Sequence, residues 1–292
     1  MKKKRIYFLM TLCALFWSGA FIAAKLSSPY IPPFTLTFLR FSLATIFLFG
    51  IAKIKKVNLI RLSLRDIPVF LFTGIIGMIG YHVLFFLSVR YTSAVNASFI
   101  GASNPIITSV LCMVTLKEMI DIKRFMGIIL SFTGVLMTLT NGNFSVLSSL
   151  TFNKGDLLML LAVCIWAVYS IFSKIVMKSY DPFNLTFYTF LFCTIFLIPA
   201  LFFENPLRIL TAVPGSAFLA VLYMAIFPTV IGYLVQQYSI KQIGPSKTSI
   251  FINLVPIFST FLSVLILGEN LVPVKILMGF LIISGVYITQ KN

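Results

Sequence analysis

The sequence predicts an all-α integral membrane protein with ten transmembrane helices in two inverted five-helix repeats, and with both termini on the cytoplasmic side. Its composition, its ten apolar runs and an internal duplication predict this fold. Of the 292 residues, 59% are hydrophobic and 10% are charged, whereas a soluble domain is roughly 25% charged. A soluble chain of this size could not hide so much apolar surface from water. The 15% aromatic content also excludes a disordered chain.

Ten apolar runs follow one another along the chain, each close to the roughly 20 residues that a helix needs to cross a bilayer. The runs cover residues 6–24, 34–52, 67–89, 94–115, 124–140, 156–175, 183–203, 216–239, 247–267 and 272–289. The connecting segments are short. They leave no room for a separate soluble catalytic or DNA-binding domain.

The positive charges predict the orientation of these spans. With the amino terminus in the cytoplasm, 17 of the 23 Lys and Arg residues fall in cytoplasmic segments, as the positive-inside rule requires. The carboxyl terminus is then cytoplasmic as well. Because this bias and contacts with anionic lipid explain the net charge of +16, the expected partner is the lipid bilayer, and no nucleic-acid partner is expected.

The two halves of the sequence resemble each other. Trp17 recurs as Trp166, at an offset of 149 residues. Other pairs match at offsets of 149 or 151: Pro33-Phe34 with Pro182-Phe183, Pro105 with Pro256, Glu118 with Glu269, and Gly134-Val135 with Gly285-Val286. The sequence therefore divides into repeats at 1–143 and 144–292. Since five spans is an odd number, the second repeat enters the membrane from the opposite side, as in many transporters.

The duplication also bears on the first 25 residues, which resemble a signal peptide because they combine a basic start, an apolar stretch and small residues. The corresponding apolar run lies in the middle of the chain, where it cannot be a signal peptide. We therefore expect the first run to be retained as a membrane span.

Several short motifs recur in both halves at matching positions. They are the segments around Trp17 and Trp166, Asn104-Pro105 through Glu118, Val255-Pro256 through Glu269, Gly127 to Val135, and a shorter version of it at Gly279 to Val286. A further distinctive residue, in the first half alone, is Arg40 in the second run. Together they resemble the ten-helix EamA-like branch of the drug/metabolite transporter superfamily, over essentially the whole chain. The resemblance implies a carrier of small metabolites or drugs, often an exporter of amino acids or related solutes. One departure is that the second half has Thr189 where the first has Arg40.

Polar and aromatic residues within the apolar runs are the candidates for substrate binding, because polar groups in a membrane usually face a cavity or a partner. His82 is the only histidine, and Tyr233 occupies the matching position 151 residues later. The full set predicted to line a central cavity is Trp17, Tyr81, His82, Phe86, Ser98, Trp166, Tyr169, Tyr233, Gln236, Gln237 and Asn253. The alternative is structural: the aromatic rings pack helix on helix, and the amides make interhelical hydrogen bonds.

A second group of residues is predicted to act in hinges or gates. Pro105 and Pro256 fall inside matching runs, where a proline can kink a helix. Glu118 and Glu269 lie at the ends of those runs, where they can cap helices or pair with nearby lysines. Arg40 is interpreted as a structural residue, with capture of a substrate carboxylate as the alternative.

The sequence contains no glycine-rich phosphate loop, no cluster with metal-ligand spacing and no catalytic nucleophile–base set, so we expect no cofactor and no enzymatic activity. We expect a secondary transporter or facilitator that exports small metabolites, amino acids or derivatives including aromatic ones, across a bacterial cytoplasmic membrane by alternating access. Uptake or exchange of another metabolite and multidrug efflux are the alternatives, and a membrane-embedded enzyme or lipid flippase is less favoured. The oligomeric state is left open, and a monomer is compatible with the sequence.

Overall fold

The structure is a computed structural model, and it describes residues 3–92, 100–140, 143, 145, 153–205, 213–267 and 273–290. These residues form helices and connecting turns, with no β-strand among them. Six of the helices are long and apolar enough to cross a membrane: Lys3–Ala24, Pro33–Ile54, Ile67–Ser88, Lys154–Val176, Pro182–Glu204 and Gly215–Ile243. The prediction of a helical membrane protein is confirmed at this level.

The helices follow the ten apolar runs closely. In the first half they are α1 (Lys3–Ser27), α2 (Pro33–Ile54), α3 (Ile67–Leu71, Phe72–Gly80 and Tyr81–Tyr91), α4 (Asn104–Thr115) and α5 (Ile122–Leu139). In the second half they are α6 (Lys154–Val176), α7 (Pro182–Glu204), α8 (Gly215–Met224, Ala225–Ile231 and Gly232–Ile243), α9 (Pro245–Ser249, Ile250–Leu254 and Val255–Leu267) and α10 (Pro273–Gln290).

The third helix of each half is interrupted at the same place. In α3, Phe72–Gly80 is a π-helix, and in α8 the segment Ala225–Ile231 is one too. Part of the cause in α8 is Pro228, which has no N–H to continue the α-helical pattern. In α3 the segment FTGIIGMIG contains three glycines, which disfavour an undisturbed α-helix. Such segments are often found at functional sites.

The two matched prolines begin α-helical segments. Pro105 lies in the first turn of α4, directly after a turn at residues 102–103. Pro256 is the second residue of Val255–Leu267, directly after the 3₁₀ segment Ile250–Leu254. In the first turn of a helix, a proline removes no internal hydrogen bond. We expected each proline to kink the middle of a helix. Instead, an irregular segment precedes each proline, and a regular α-helix begins at it.

Helices α2 and α7 lie side by side in opposite directions and are tied together at both ends. At one end, Glu204 at the end of α7 accepts hydrogen bonds from the backbone N–H groups of Phe34 and Thr35 at 3.1 and 2.7 Å. At the other, Asn184 at the start of α7 accepts from the backbone N–H of Ile60, just after α2, at 3.1 Å. Free N–H groups at the start of α2 are thereby satisfied by a carboxylate from the other half.

The backbones of helices α5 and α10, one from each half, approach each other closely. A Cβ atom at Gly127 would lie 2.8 Å from the carbonyl oxygen of Gly285, and one at Gly285 would lie 2.5 Å from the carbonyl oxygen of Gly127. Gly134 is similarly close to the backbone of Ile282. Small residues allow this close packing, which is common between membrane helices.

The contacts between helices follow the same pattern in both halves. Helix α1 packs against α8 and α9 of the second half, and α6 packs against α3 and α4 of the first. Helix α2 contacts the π segment of α8, and α7 contacts the π segment of α3. Exchanging α1–α5 with α6–α10 reproduces these pairs. The first helix of each half thus packs mainly on the other half.

Candidate functional site

Four rings, two from each half, pack together in the interior of the helix bundle and form the centre of a ring cluster. Phe41 of α2 and Phe190 of α7 meet edge to face with centroids 5.0 Å apart. His82 of α3 contacts Phe41 at 5.0 Å, and Tyr233 of α8 contacts Phe190 at 5.4 Å. All four residues are less than 10% exposed. Phe41 and Phe190 are 149 residues apart and His82 and Tyr233 are 151 apart, so each residue meets its own counterpart from the other half.

The histidine has a defined orientation. Its Nδ1 lies 2.8 Å from the carbonyl oxygen of Met78. A carbonyl only accepts hydrogen bonds, so Nδ1 must carry a proton. The other ring nitrogen, Nε2, faces the hydroxyl of Tyr233 at 3.4 Å. This arrangement leaves Nε2 as the acceptor of a long hydrogen bond from Tyr233.

Three further aromatic residues extend this centre. The Trp166 ring lies 4.7 Å from Tyr81, 5.5 Å from Tyr169 and 5.6 Å from Tyr233, measured between centroids. Tyr81 also contacts His82 at 5.0 Å. The structure therefore brings together five of the residues predicted to bind substrate: Tyr81, His82, Trp166, Tyr169 and Tyr233. They stand against each other in the interior.

A buried amide joins the cluster on the side of Tyr169. The Gln237 amide nitrogen donates to the Tyr169 hydroxyl and lies 3.5 Å from the Ser173 hydroxyl. Its amide oxygen, like that of Gln236, is buried without a hydrogen-bond partner among the described residues. A buried polar atom without a partner is costly. These oxygens are therefore available to a donor supplied by a ligand.

Other predicted site residues lie apart from these rings. The Trp17 indole nitrogen donates to the carbonyl oxygen of Pro228 at 3.2 Å, which accounts for its position by helix packing. Phe86 packs with Ala23 and Met224 in a separate apolar cluster. The Asn253 amide donates to the Ser131 hydroxyl of α5 at 2.9 Å. Ser98 and Glu269 lie outside the described residues.

Arg40, for which the sequence favoured a structural role over capture of a substrate carboxylate, lies beside the rings. It is 9% exposed, and it lies about 10 Å inside α2 at 1.5 Å per residue. Its Nε donates to the Thr229 hydroxyl at 2.5 Å, and its guanidinium carbon lies 5.9 Å from the Phe41 ring centroid. The Thr229 hydroxyl in turn donates to the carbonyl oxygen of Met224 at 2.7 Å. A lone pair of the Thr229 oxygen is therefore directed at the Arg40 guanidinium.

The second half lacks this charge. Thr189 of α7, which matches Arg40 at an offset of 149, donates to the Thr73 hydroxyl at 2.8 Å and is fully buried. Thr73 lies in the π segment of α3, as Thr229 lies in that of α8. Equivalent helices thus contact equivalent segments, once with a guanidinium and once with a hydroxyl.

Glu118 bridges segments from both halves. Its carboxylate pairs with the Arg124 guanidinium at 3.2 Å, across the turn between α4 and α5. One carboxylate oxygen also lies 2.8 Å from the position that a Cβ at Gly244 would take. Gly244 has a φ of 85° in the turn between α8 and α9, a conformation that favours glycine. The contact joins the two turns, and the role of Glu118 as a gate stays a prediction.

The same face of the bundle carries a second polar contact. The Tyr180 hydroxyl, before α7, donates to the Asp66 carboxylate, before α3, at 2.5 Å. This bond and those from Ser63 hold the pKa of Asp66 below its usual range. Burial, followed by the hydrogen bond to Asp66, raises the pKa of Tyr180 to about 12. The contact links the α2–α3 loop to the α6–α7 turn.

A bundle of membrane-length helices that buries a histidine, an arginine and two glutamines between its helices is typical of membrane transporters. The model of the EamA-like transporter family matches residues 4–140 and again residues 153–290. The chain belongs to the EamA-like transporter family. It is therefore a membrane transporter of small molecules and not an enzyme, and the resemblance noted in the sequence is confirmed.

Relatives in a bacterium and an archaeon are similar over nearly their full length. The uncharacterized transporter YyaM of Bacillus subtilis (strain 168) is 32% identical, over 98% of this chain and 93% of that protein. An uncharacterized transporter of Archaeoglobus fulgidus is 30% identical, over 99% of this chain and 98% of that protein. A crystal structure of a protein that is 20% identical superposes with a TM-score of 0.77, over 99% of this chain and 98% of that one. That last likeness concerns the fold alone.

Proposed function

We propose that the protein is a secondary transporter that exports small metabolites, amino acids or derivatives including aromatic ones, from the cytoplasm by alternating access. The observation that carries the proposal is the meeting of matched residues at the centre: Phe41 with Phe190, and His82 with Tyr233. Residues that meet their own counterparts lie on the axis that relates two repeats. Transporter sites commonly lie between repeats.

The proposed architecture has ten membrane helices, in inverted repeats at 1–143 and 144–292. Two contacts between the halves support it. The Tyr7 hydroxyl at the start of α1 donates to the carbonyl oxygen of Gln290 at the end of α10, and Tyr180, before α7, contacts Asp66, before α3. Within the second half, Lys174 at the end of α6 donates to the carbonyl oxygen of Lys241 in the last turn of α8, which puts both of these ends on one face. The positive-inside rule makes this the cytoplasmic face.

The chemistry of the cluster supports an amphiphilic solute. The rings of Tyr81, Trp166 and Tyr233 offer apolar faces, and the amide oxygens of Gln236 and Gln237 offer acceptors. Sites for small molecules combine such walls with a few polar groups. Because these side chains are packed against one another, binding requires the helices to separate. Breaks before Pro105 and Pro256 and the contact of Glu118 with the α8–α9 turn are the proposed hinge and gate.

Transport is tested by counterflow in proteoliposomes, with a panel of labelled solutes that holds phenylalanine, small neutral amino acids, nucleosides and cationic drugs. We expect exchange of an aromatic amino acid, and a lower rate in Tyr233→Phe, which loses its hydroxyl at His82. Tyr238→Phe, on the same helix but 40% exposed, is the matched control. Lack of exchange with every solute would overturn the proposal, and exchange of cationic drugs alone would favour multidrug efflux.

The inversion is tested separately by cysteine labelling. Ser28 and Ser179 are exposed and lie in the turns between the first and second helices of their halves. In inverted repeats, Ser28→Cys should react with an impermeant maleimide from outside the cell, and Ser179→Cys only after permeabilisation. If both cysteine variants react from the same side, the inverted topology is contradicted, while the transport assay is interpreted independently.

A further inference from the structure

Arg40 carries a buried positive charge without a counter-ion in the described part of the chain. Charged side chains that are buried there are Arg40, Arg124 and Asp156. Arg124 pairs with Glu118. Asp156, in the first turn of α6, accepts a hydrogen bond from the Thr92 hydroxyl. Arg40 makes one described hydrogen bond, through Nε to a neutral threonine hydroxyl. A lone ion within a membrane protein is expensive.

The surroundings leave the planar end of the guanidinium free to bind an anion. A guanidinium has five N–H donors, and Thr229 takes the one on Nε. The two terminal nitrogens make no hydrogen bond with any other described residue. They are the atoms that hold a carboxylate through two parallel bonds. Thr229 therefore holds the guanidinium through Nε and leaves the two terminal nitrogens of Arg40 to a ligand.

The position of Arg40 puts that ligand at the ring cluster. The guanidinium lies against Phe41, which contacts both His82 and Tyr233. An anionic group on Arg40 would hence place the rest of the solute among these aromatic rings.

We infer that Arg40 is the anchor for a carboxylate of the transported solute, so that the substrate is a monoanionic or zwitterionic acid with an apolar or aromatic body. A single positive charge balances one carboxylate, whereas a doubly charged phosphate would need a second cation, and the other buried arginine of the described residues, Arg124, is already paired with Glu118. This inference rests on the proposed function and narrows it to a class of substrate. It assigns to Arg40 a role in binding, where the sequence favoured a structural one.

The test compares an acid with analogues that lack the carboxylate. Wild-type protein in proteoliposomes is given phenylalanine, phenylalanine amide and phenethylamine as competitors in counterflow. All three keep the amino group and the ring, so we expect the acid to compete roughly 10- to 100-fold better than either compound without a carboxylate, the factor that charge-assisted hydrogen bonds provide. Millimolar inorganic phosphate should not compete. Equal competition by acid and amide, or inhibition by phosphate in place of the acid, would overturn the inference.

Variants then assign the preference to this side chain. Arg40→Gln should lose most of the acid preference while the weak competition by the amide changes less than about 3-fold, and Arg40→Lys should restore part of it because a point charge lacks the bidentate geometry. Arg61→Gln, which removes the same charge from an exposed loop, should behave like wild type. An Arg40→Gln protein that is folded and keeps the full acid preference would overturn the inference.

These experiments distinguish failure of the carboxylate anchor at Arg40 from failure of the proposed transport function. If wild-type protein exchanges no solute, the proposed transport activity fails. If it exchanges acid and amide equally well, transport stands and the carboxylate anchor fails. Should Arg40→Gln not fold, the wild-type comparison of acid with amide still decides.

Discussion

The two halves of this transporter share their helices and contacts but differ in the chemistry of their interiors. In the first half, Arg40 reaches the π segment of α8, and the matching Thr189 of the second half reaches that of α3. The pair Tyr169 and Gln237 is hydrogen-bonded, whereas its counterparts Ala20 and Phe86 belong to an apolar cluster. Repeats can therefore supply a common scaffold while one side of the axis is charged and the other neutral. A pseudo-symmetric bundle can in this way hold an asymmetric solute in one orientation.

Removing the charge that distinguishes the halves should have the largest effect. Arg40→Thr gives the first half the residue of the second and leaves both sides neutral. We expect affinity for an aromatic amino acid to fall roughly 10- to 100-fold, because a charge-assisted pair is lost. Calorimetric titration of the purified protein measures this change. A variant with wild-type affinity would show that the difference between the halves does not serve recognition.

The glycines between α5 and α10 test where the halves are close and where they are not. Gly127→Ala should destabilise the protein by about 1–3 kcal/mol, since the new Cβ would overlap the backbone of Gly285 and Thr289. Gly279 lies near the matching position of α10, and a Cβ there would have no atom of the described residues within 4 Å. Gly279→Ala is thus the control, expected to be neutral or slightly stabilising. Equal unfolding temperatures for the two variants would contradict the close approach.

The hydrogen-bonded pair Tyr169 and Gln237 of the second half can be made apolar, like the matching residues of the first half. Tyr169→Phe removes the hydroxyl that holds Gln237 and should cost about 1–2 kcal/mol, because a buried amide loses its principal partner. The double variant Tyr169→Phe with Gln237→Leu should recover much of this loss, since both polar partners are then gone. Denaturation of the four proteins forms a double-mutant cycle. Additive losses would show that the two side chains are not coupled.

The contact between Asp66 and Tyr180 should give the smallest effect. The pKa of Asp66 is lowered on folding, so its stabilisation is present above the ordinary pKa of a carboxyl, near 3.9, and is lost as pH falls through the lowered value. That of Tyr180 is raised to about 12, so its contribution is present below about 10 and lost as pH rises towards 12. Asp66→Asn should lower the unfolding temperature by at most about 2 °C, equally from pH 5 to pH 9. A difference that changes within this range would contradict the assignment.

Much of the fold followed from the sequence because its main causes are local. Apolar runs and basic loops predicted the helix positions, and the described helices start and end within a few residues of those runs, except that α4 starts at Asn104, ten residues into its run. His82 and Tyr233 were selected from the sequence as polar and aromatic residues inside apolar runs, and the repeat offset paired them. Their direct contact was not predicted, because no spacing along the chain specifies which equivalent residues meet.

The parts that could not be predicted depend on contacts between distant segments. Arg40 was interpreted as structural because the sequence cannot show that its terminal nitrogens lack a described partner. Phe41 and Phe190 were overlooked because phenylalanines are frequent here, 31 in all, and only their matched positions would have selected them. Trp17 and Asn253, although they match the pattern, hydrogen-bond to Pro228 and Ser131.

The ties at both ends of α2 and α7 restrict how the molecule can work. Glu204 joins the end of α7 to the start of α2, and Asn184 joins the start of α7 to the loop that follows α2, so the two helices can tilt together but cannot slide past each other without breaking the Glu204 bonds. In the proposed alternating-access cycle, α2 and α7 would move as one unit while the other helices rearrange around them. Arg40 belongs to α2 and Thr189 to α7. The anchor for the solute would then stay nearly still while the passage to it opens first on one side of the membrane and then on the other.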